Sequence, residues 1–225
     1  MKIEACIFDL DGVIVDTARY HFLAWKKLSD KLGIRFTEED NERLKGVSRM
    51  ASLDIILGIG NMKLNECKKL EFAALKNNWY IDYISKMTPD EILPGSLEFI
   101  KELKDANIRV AIGSASKNTP MILERVGIQQ LFDAVADGNV VKKAKPDPDV
   151  FLTAAQMVHV KPADCVVFED AVAGVKAALN AGMMCVGIGS PKILNEAHFV
   201  VSGLKEMNLA KLVTIEKISG YGKSL

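Results

Sequence analysis

This sequence lacks an excess of charge of either sign. Its 29 Lys and Arg offset 29 Asp and Glu over 225 residues, which gives no hint of a nucleic-acid partner or an anionic membrane surface. It also lacks cysteine pairs. Cys6, Cys67, Cys165 and Cys185 are far apart and form no metal-type spacing. Cys6, Cys165 and Cys185 fall in apolar runs and read as small buried hydrophobes. No apolar stretch approaches the ~20 residues of a membrane span. The start, MKIEACIF, has the pattern of a strand, without the apolar run and cleavage site of a signal peptide. A cytoplasmic chain with reduced thiols is expected. Internal repeats and low-complexity segments are missing too.

What is present is an alternation. Strand-like runs occur at Glu4–Phe8, Arg109–Ser114, Ala134–Asp137, Cys165–Phe168 and Met184–Ile188, with a weaker one at Phe199–Ser202. Helical patterns lie between them at Ser96–Asp105, Pro120–Val126, Asp149–Val158 and Ala171–Ala181, the last stopped by Gly182. Strands alternating with helices predict an α/β fold, a Rossmann-like parallel sheet covered on both faces. One long stretch breaks the alternation. From Asp16 to about Met87 there is no convincing strand, only helical patterns at Thr17–Leu32, Thr37–Leu44, Ser48–Leu57 and Leu64–Ile84, with a turn expected at Gly58–Asn61. A helical cap is therefore expected over 16–92, inserted between two parts of the core, 1–15 and 93–225. Its linkers are Val13–Asp16 and Thr88–Pro94. Two domains joined by two linkers can open and close over a cleft.

In open parallel sheets, ligands bind beyond the carboxyl ends of the strands. The first strand delivers Asp9 and Asp11 there. The second delivers Ser114, followed by Ala115, Ser116, Lys117 and Asn118. The loop past the third carries Lys145, and the fourth ends in Glu169 and Asp170. Asp9, Glu169 and Asp170 are hard oxygen donors suited to a magnesium ion that keeps several waters. Lys145 adds a point charge for a carboxylate or a phosphate oxygen. Ser114 and the backbone amides after Asp9 and Ser114 can donate to phosphate oxygens. Asp9 can attack phosphorus, and Asp11 can give and take the proton of a substrate oxygen. Taken singly, each has a plainer explanation. Asp-x-Asp can be a turn, Ser114 a cap, Lys145 a solvated loop residue and Glu169-Asp170 the start of a helix. Coincidence of all four, in order on one sheet, favours phosphoryl chemistry.

The segments "FDLDGVIVDT", "SAS", "KP" and "FEDAVAGVKAALNAG" resemble the motifs of the haloacid dehalogenase-like superfamily of phosphotransferases, over nearly the whole chain. The segments "YHFLAWKKL", "LKGVSR" and "GSASKN" resemble the branch that interconverts β-D-glucose 1-phosphate and 6-phosphate. The resemblance implies an isomerase, a phosphomutase, that works through an aspartyl phosphate and β-glucose 1,6-bisphosphate, uses Mg2+ and acts on a sugar phosphate; a monomer is expected. It implies Asp9 as nucleophile, Asp11 as acid and base, and a metal held by Asp9, the Asp11 carbonyl, Glu169 and Asp170. Ser114 and Lys145 would meet the transferring phosphoryl group, with Ala115 beside them. Arg49, Ser116, Lys117 and Asn118 would hold the second phosphate, and His21 would help bring Asp11 into position. Lys76, Trp25, Leu44, Gly46, Val47 and Ser52 would line the cap side of the cleft. By sequence alone His21 can equally be a helix-surface residue, Trp25 a packing residue and Arg49 a solvated charge. A sugar-phosphate phosphatase would use the same core motifs. A signalling receiver also gathers acids and a lysine on a parallel sheet, but needs no cap and orders its motifs differently.

Overall fold

The computed structural model describes residues 2–221. Its core is one parallel sheet of β1 (Ala5–Phe8), β2 (Arg109–Gly113), β3 (Ala134–Ala136), β4 (Cys165–Glu169), β5 (Met184–Ile188) and β6 (Phe199–Val201). The spatial order is β3-β2-β1-β4-β5-β6, with β1 at the centre. The strands are short and largely apolar because helices cover both faces and leave no solvent-facing side. Alternation sorts their side chains. Cys6, Phe8, Val110, Ile112, Val166 and Phe168 point into one core. Ala5, Ile7, Ala111, Cys165, Val167 and Cys185 point into the other. On the first face Phe8 and Phe168 stack with ring centroids 4.7 Å apart, and Phe99 meets Phe168 edge-on at 5.4 Å. That face is covered by α5 (Ser96–Asp105) and α6 (Thr119–Arg125), the other by α7 (Asp149–Met157) and α8 (Val172–Asn180).

Between β1 and α5 the chain is helical, as α1 (Ala18–Lys31), α2 (Glu38–Glu42), α3 (Arg49–Ile59) and α4 (Glu66–Ile84). Each later helix starts on a polar cap. Thr37 forms a capping box with Asp40, Ser48 accepts from the Ala51 N–H, and Asn65 accepts from the Lys68 N–H. The helices bury their own cluster, centred on Trp25, Leu28, Phe36, Leu53 and Ile56. This is the inserted helical cap. Its two connections run side by side. The Asp16 N–H donates to the Glu91 carbonyl at 3.0 Å, and the Leu93 N–H to the Ile14 carbonyl at 2.9 Å.

Two elements differ from the sequence reading. The turn expected at Gly58–Asn61 begins later, because α3 continues through Ile59 and Gly60 caps it. Gly58 meets nothing within 4 Å at its Cβ direction, and its helix cost of about 1 kcal/mol is offset by burial of Ile56 and Leu57 beside it. The chain turns instead at Asn61, in the left-handed region at φ 48. A helix that the periodicity did not announce, α9 (Leu209–Tyr221), packs on α5 through Leu212 and Ile215.

Candidate active site

Parallel pairing sets the first contacts. The register places Phe8 beside both Ile112 and Phe168, and the Asp9 N–H donates to the Phe168 carbonyl at 2.9 Å. Asp9 and Glu169 therefore leave adjacent strands at the same edge, both buried. Lys145, in the loop from β3 to α7, inserts between them. Its Nζ lies 2.5 Å from Asp9 Oδ1 and 2.7 Å from Glu169 Oε2. Burial alone would lower the Lys145 pKa, but the two carboxylate charges outweigh it and hold the ammonium above its ordinary value. Glu169 Oε1 accepts from the Ala171 N–H at 3.0 Å. Behind it, Gly174 leaves room that a Cβ would fill, since one built there would sit 2.0 Å from the Glu169 carboxyl carbon.

Asp170 completes an acidic cluster with Asp9 and Glu169, each offering an oxygen within 4.8 Å of the others. Gly12 makes this approach feasible. It takes φ +82, and a Cβ there would lie 2.4 Å from Asp170 Oδ2. Burial, then the Asp9 charge, pushes Glu169 up to about 7 against the pull of Lys145. Burial with the Glu169 and Asp9 charges pushes Asp170 well above the usual carboxylate range. Lys145 and, 3.8 Å from Asp170, Lys45 thus bring two ammonium groups to three clustered carboxylates, which stay under-neutralised. A hard dication with water ligands fits that donor set.

Asp11 lies half-buried beyond the strand, and its Oδ1 accepts from the Thr17 hydroxyl. Burial, then the Asp9 charge, raises its pKa to about 6, with the Thr17 bond opposing. A carboxyl poised there can hold a proton and surrender it near neutral pH.

A cleft of about 550 Å³ separates these strand ends from the cap. Asp9, Asp11, Ala115, Ser116, Lys117, Asn118, Lys145 and Asp170 line its core side, and His21, Trp25, Leu44, Gly46, Val47, Arg49, Ser52 and Lys76 its cap side. Ser114 and Glu169 are buried behind the wall. Ser114 Oγ accepts from the Ser116 N–H at 3.1 Å and so folds the loop that follows β2. His21 is half-buried, its ring centroid 4.1 Å from that of Tyr80 and its Nδ1 3.1 Å from Lys76 Nζ. Burial, with Lys76 and Arg49 nearby, drives its pKa well down. Trp25 is buried in the cap cluster, and its ring also faces the Lys76 ammonium at 4.7 Å. Arg49 opens α3 after the Ser48 cap and is half-buried.

The neutral chain concentrates positive charge here. Among the described residues, Arg49, Lys76, Lys117 and Lys142 line the cleft without an ion pair to any carboxylate. Such a wall attracts a dianion. Several lining residues escaped the sequence reading: Lys45, Asn77, Tyr80, Lys142 and Lys143, with Thr17 behind Asp11. A helical signal existed for two of them. Asn77 and Tyr80 continue the Ala73–Lys76 face of α4 at three- and four-residue spacing. Lys45, 3.8 Å from Asp170, sits between the singled-out Leu44 and Gly46. His198 is structural, since its Nδ1 accepts from the Cys185 N–H at 3.1 Å.

A parallel sheet that presents an acidic cluster and a buried lysine beneath a helical cap defines a class. The family model for haloacid dehalogenase-like hydrolases matches residues 3–182, and the chain belongs to that family. Within it, the chain is 46% identical over 211 residues to a beta-phosphoglucomutase of Bacillus subtilis, covering 93% of each. A crystal structure of beta-phosphoglucomutase from Clostridium difficile superposes with a TM-score of 0.93 at 42% identity, covering 96% of this chain and 98% of that one. A phosphorylated-carbohydrates phosphatase of Thermotoga maritima is more distant, 31% identical over 192 residues, 80% of this chain and 82% of that protein.

Proposed function

We propose that Asp9 is the phosphoryl carrier and Asp11 the acid and base of a phosphomutase. The chain is an isomerase that interconverts β-D-glucose 1-phosphate and β-D-glucose 6-phosphate. One observation carries the division of roles. Two carboxylates two residues apart have different surroundings, Asp9 clamped by Lys145 and Asp11 protonated up to about pH 6 beside the Thr17 hydroxyl. In the transfer, a sugar hydroxyl oxygen bonds to phosphorus as the bond from phosphorus to the Asp9 oxygen breaks. The hydroxyl proton passes to Asp11, and Asp9 is left as carboxylate. The product is β-glucose 1,6-bisphosphate. After it turns round, its other phosphoryl group returns to Asp9 while Asp11 gives the proton back to the departing oxygen.

Asp9, Glu169, Asp170 and the Asp11 carbonyl would hold magnesium, which when bound neutralises charge on the phosphoryl group. Lys145 and Ser114 would serve the transferring phosphoryl group, with Ala115 beside it. Arg49, Ser116, Lys117 and Asn118 would grip the second phosphate. His21 and Lys76 would set Asp11, and Trp25, Leu44, Gly46, Val47 and Ser52 would shape the sugar side. Domain boundaries at 15/16 and 92/93 put the paired connections at the hinge. The site needs no second chain, in keeping with a monomer. Four free thiols suit the cytoplasm, and no helix of the described residues is long and apolar enough to cross a membrane.

The test is trapping. The wild-type chain mixed with acetyl phosphate should gain one acid-stable, base-labile phosphoryl group by mass spectrometry, located on Asp9. Asp9→Asn should gain none and show no turnover. Asp11→Asn should still bind sugar phosphate but turn over at least a hundredfold more slowly, ~2.7 kcal/mol of barrier. Label found on another residue would remove Asp9 from its role.

A further inference from the structure

The loop after β2 reaches across the cleft. Asn118 Nδ2 donates to Asn77 Oδ1 of α4 at 3.0 Å. Both side chains line the cleft, one on the core and one on the cap. Other hydrogen bonds of this loop stay within the core. The Ser116 N–H donates to Ser114 Oγ and the Asn118 N–H to Ser116 Oγ, at 3.1 and 3.2 Å. From the core side, Asn139 Nδ2 donates to the Lys117 carbonyl at 2.9 Å. The Asn118 side chain is thus the part of this loop tied to the cap.

We propose that Asn77 is a positioning residue that couples cap closure to the grip on the substrate's second phosphate. The proposal rests on the placement of that phosphate at residues 116–118. A planar amide has two donor hydrogens in fixed directions. Engaging one with Asn77 fixes the plane and leaves the other for a ligand oxygen in the cleft. The bond exists only while α4 lies over the loop. A dianion held by Asn118 therefore favours the closed cap, and the closed cap favours the dianion, by the same factor. A donor without a second phosphate gains nothing from it. This makes Asn77 a discriminator between a sugar phosphate and small donors or water.

The experiment is a double-mutant cycle of Asn77→Ala and Asn118→Ala in the full chain. Alanine at a half-buried helix position favours helix, so folding is kept, and equal melting temperatures check it. Kinetics are read with β-D-glucose 1-phosphate plus bisphosphate, and Asp9 labelling with acetyl phosphate. Asn77→Ala should lower kcat/KM for the sugar phosphate by about 3- to 10-fold and leave labelling unchanged. Added to Asn118→Ala, it should cost nothing more. Fully multiplicative losses, or an equal loss with acetyl phosphate, would overturn the coupling. If Asn118→Ala hurts sugar-phosphate turnover and Asn77→Ala does not, Asn77 alone is misassigned. If Asn118→Ala changes nothing, the phosphate is misplaced and the coupling falls with it.

Discussion

Replacing Lys76 by methionine should make the free protein more stable and the enzyme worse. Lys76 is 2% exposed, and its ammonium stands over the rings of Trp25 and Tyr80 at 4.7 and 4.5 Å. Burial first, then the Arg49 charge, lowers its pKa from 10.5 to about 7. A drop of that size is worth about 4–5 kcal/mol of charge-burial cost. The unfolded chain keeps the proton up to its ordinary value and the folded chain loses it near pH 7, so between the two the unfolded state binds more protons. Stability of the wild type should therefore rise with pH across that window, and the full cost applies below it. Methionine removes the cost but forfeits the ring contacts, ~0.5–2 kcal/mol, and the His21 contact, about 1 kcal/mol. The net gain at pH 6 is about 2 kcal/mol, or ~4–8 °C in melting temperature for a chain of this size. Near pH 10 the wild-type amine is neutral in the folded state and the gap should close. Turnover should move the other way, with kcat/KM falling about 10- to 100-fold as a charged contact is lost. Thermal melts of both proteins without ligand, at pH 6 and near pH 10, read the first claim, and steady-state kinetics the second. A variant that melts below the wild type at pH 6, or a gap that ignores pH, would refute the buried-charge reasoning.

Arg49→Ala should raise KM for the glucose phosphates by at least tenfold, ~1.4 kcal/mol, while sparing Asp9 labelling by acetyl phosphate. Arg49→Lys should recover only part, because a point charge lacks the guanidinium fork. Equal damage in both assays would assign Arg49 to folding of the cap or to the core site. Gly174→Ala should force Glu169 aside, costing ~1–3 kcal/mol of stability and weakening magnesium binding. Denaturant curves and a magnesium titration check this, and a wild-type-like magnesium affinity would show that Glu169 does not need its present position.

The fold was legible where local patterns and the sheet agreed. Apolar runs ending at Phe8, Gly113 and Phe168–Glu169 are strand-like by composition, and parallel strands deliver whatever follows them to one edge. The meeting of Asp9 and Glu169 at that edge follows from topology. Its detail does not, because Lys145 comes from a loop whose path no periodicity encodes. The cap was legible as helix, yet the end of α3 was misjudged because glycine punctuates a sequence more visibly than the asparagine that turns the chain. The last helix, α9, stayed hidden because Leu212 and Ile215, three residues apart, form a narrow apolar stripe that acquires meaning only against α5. Asn77 and Tyr80 were missed for a related reason. They matter through what lies across the cleft, and a helix pattern records which face a residue shares but not what that face meets.

The most direct test of phosphoryl transfer between the two sugar positions is a phosphorus NMR time course. Purified protein would be given β-D-glucose 1-phosphate, magnesium and a trace of β-glucose 1,6-bisphosphate. The 1-phosphate signal should be replaced by β-D-glucose 6-phosphate, with organic phosphate conserved and little inorganic phosphate formed. Loss of the 1-phosphate to inorganic phosphate, without the 6-phosphate, would contradict the mutase and describe a phosphatase built on the same site.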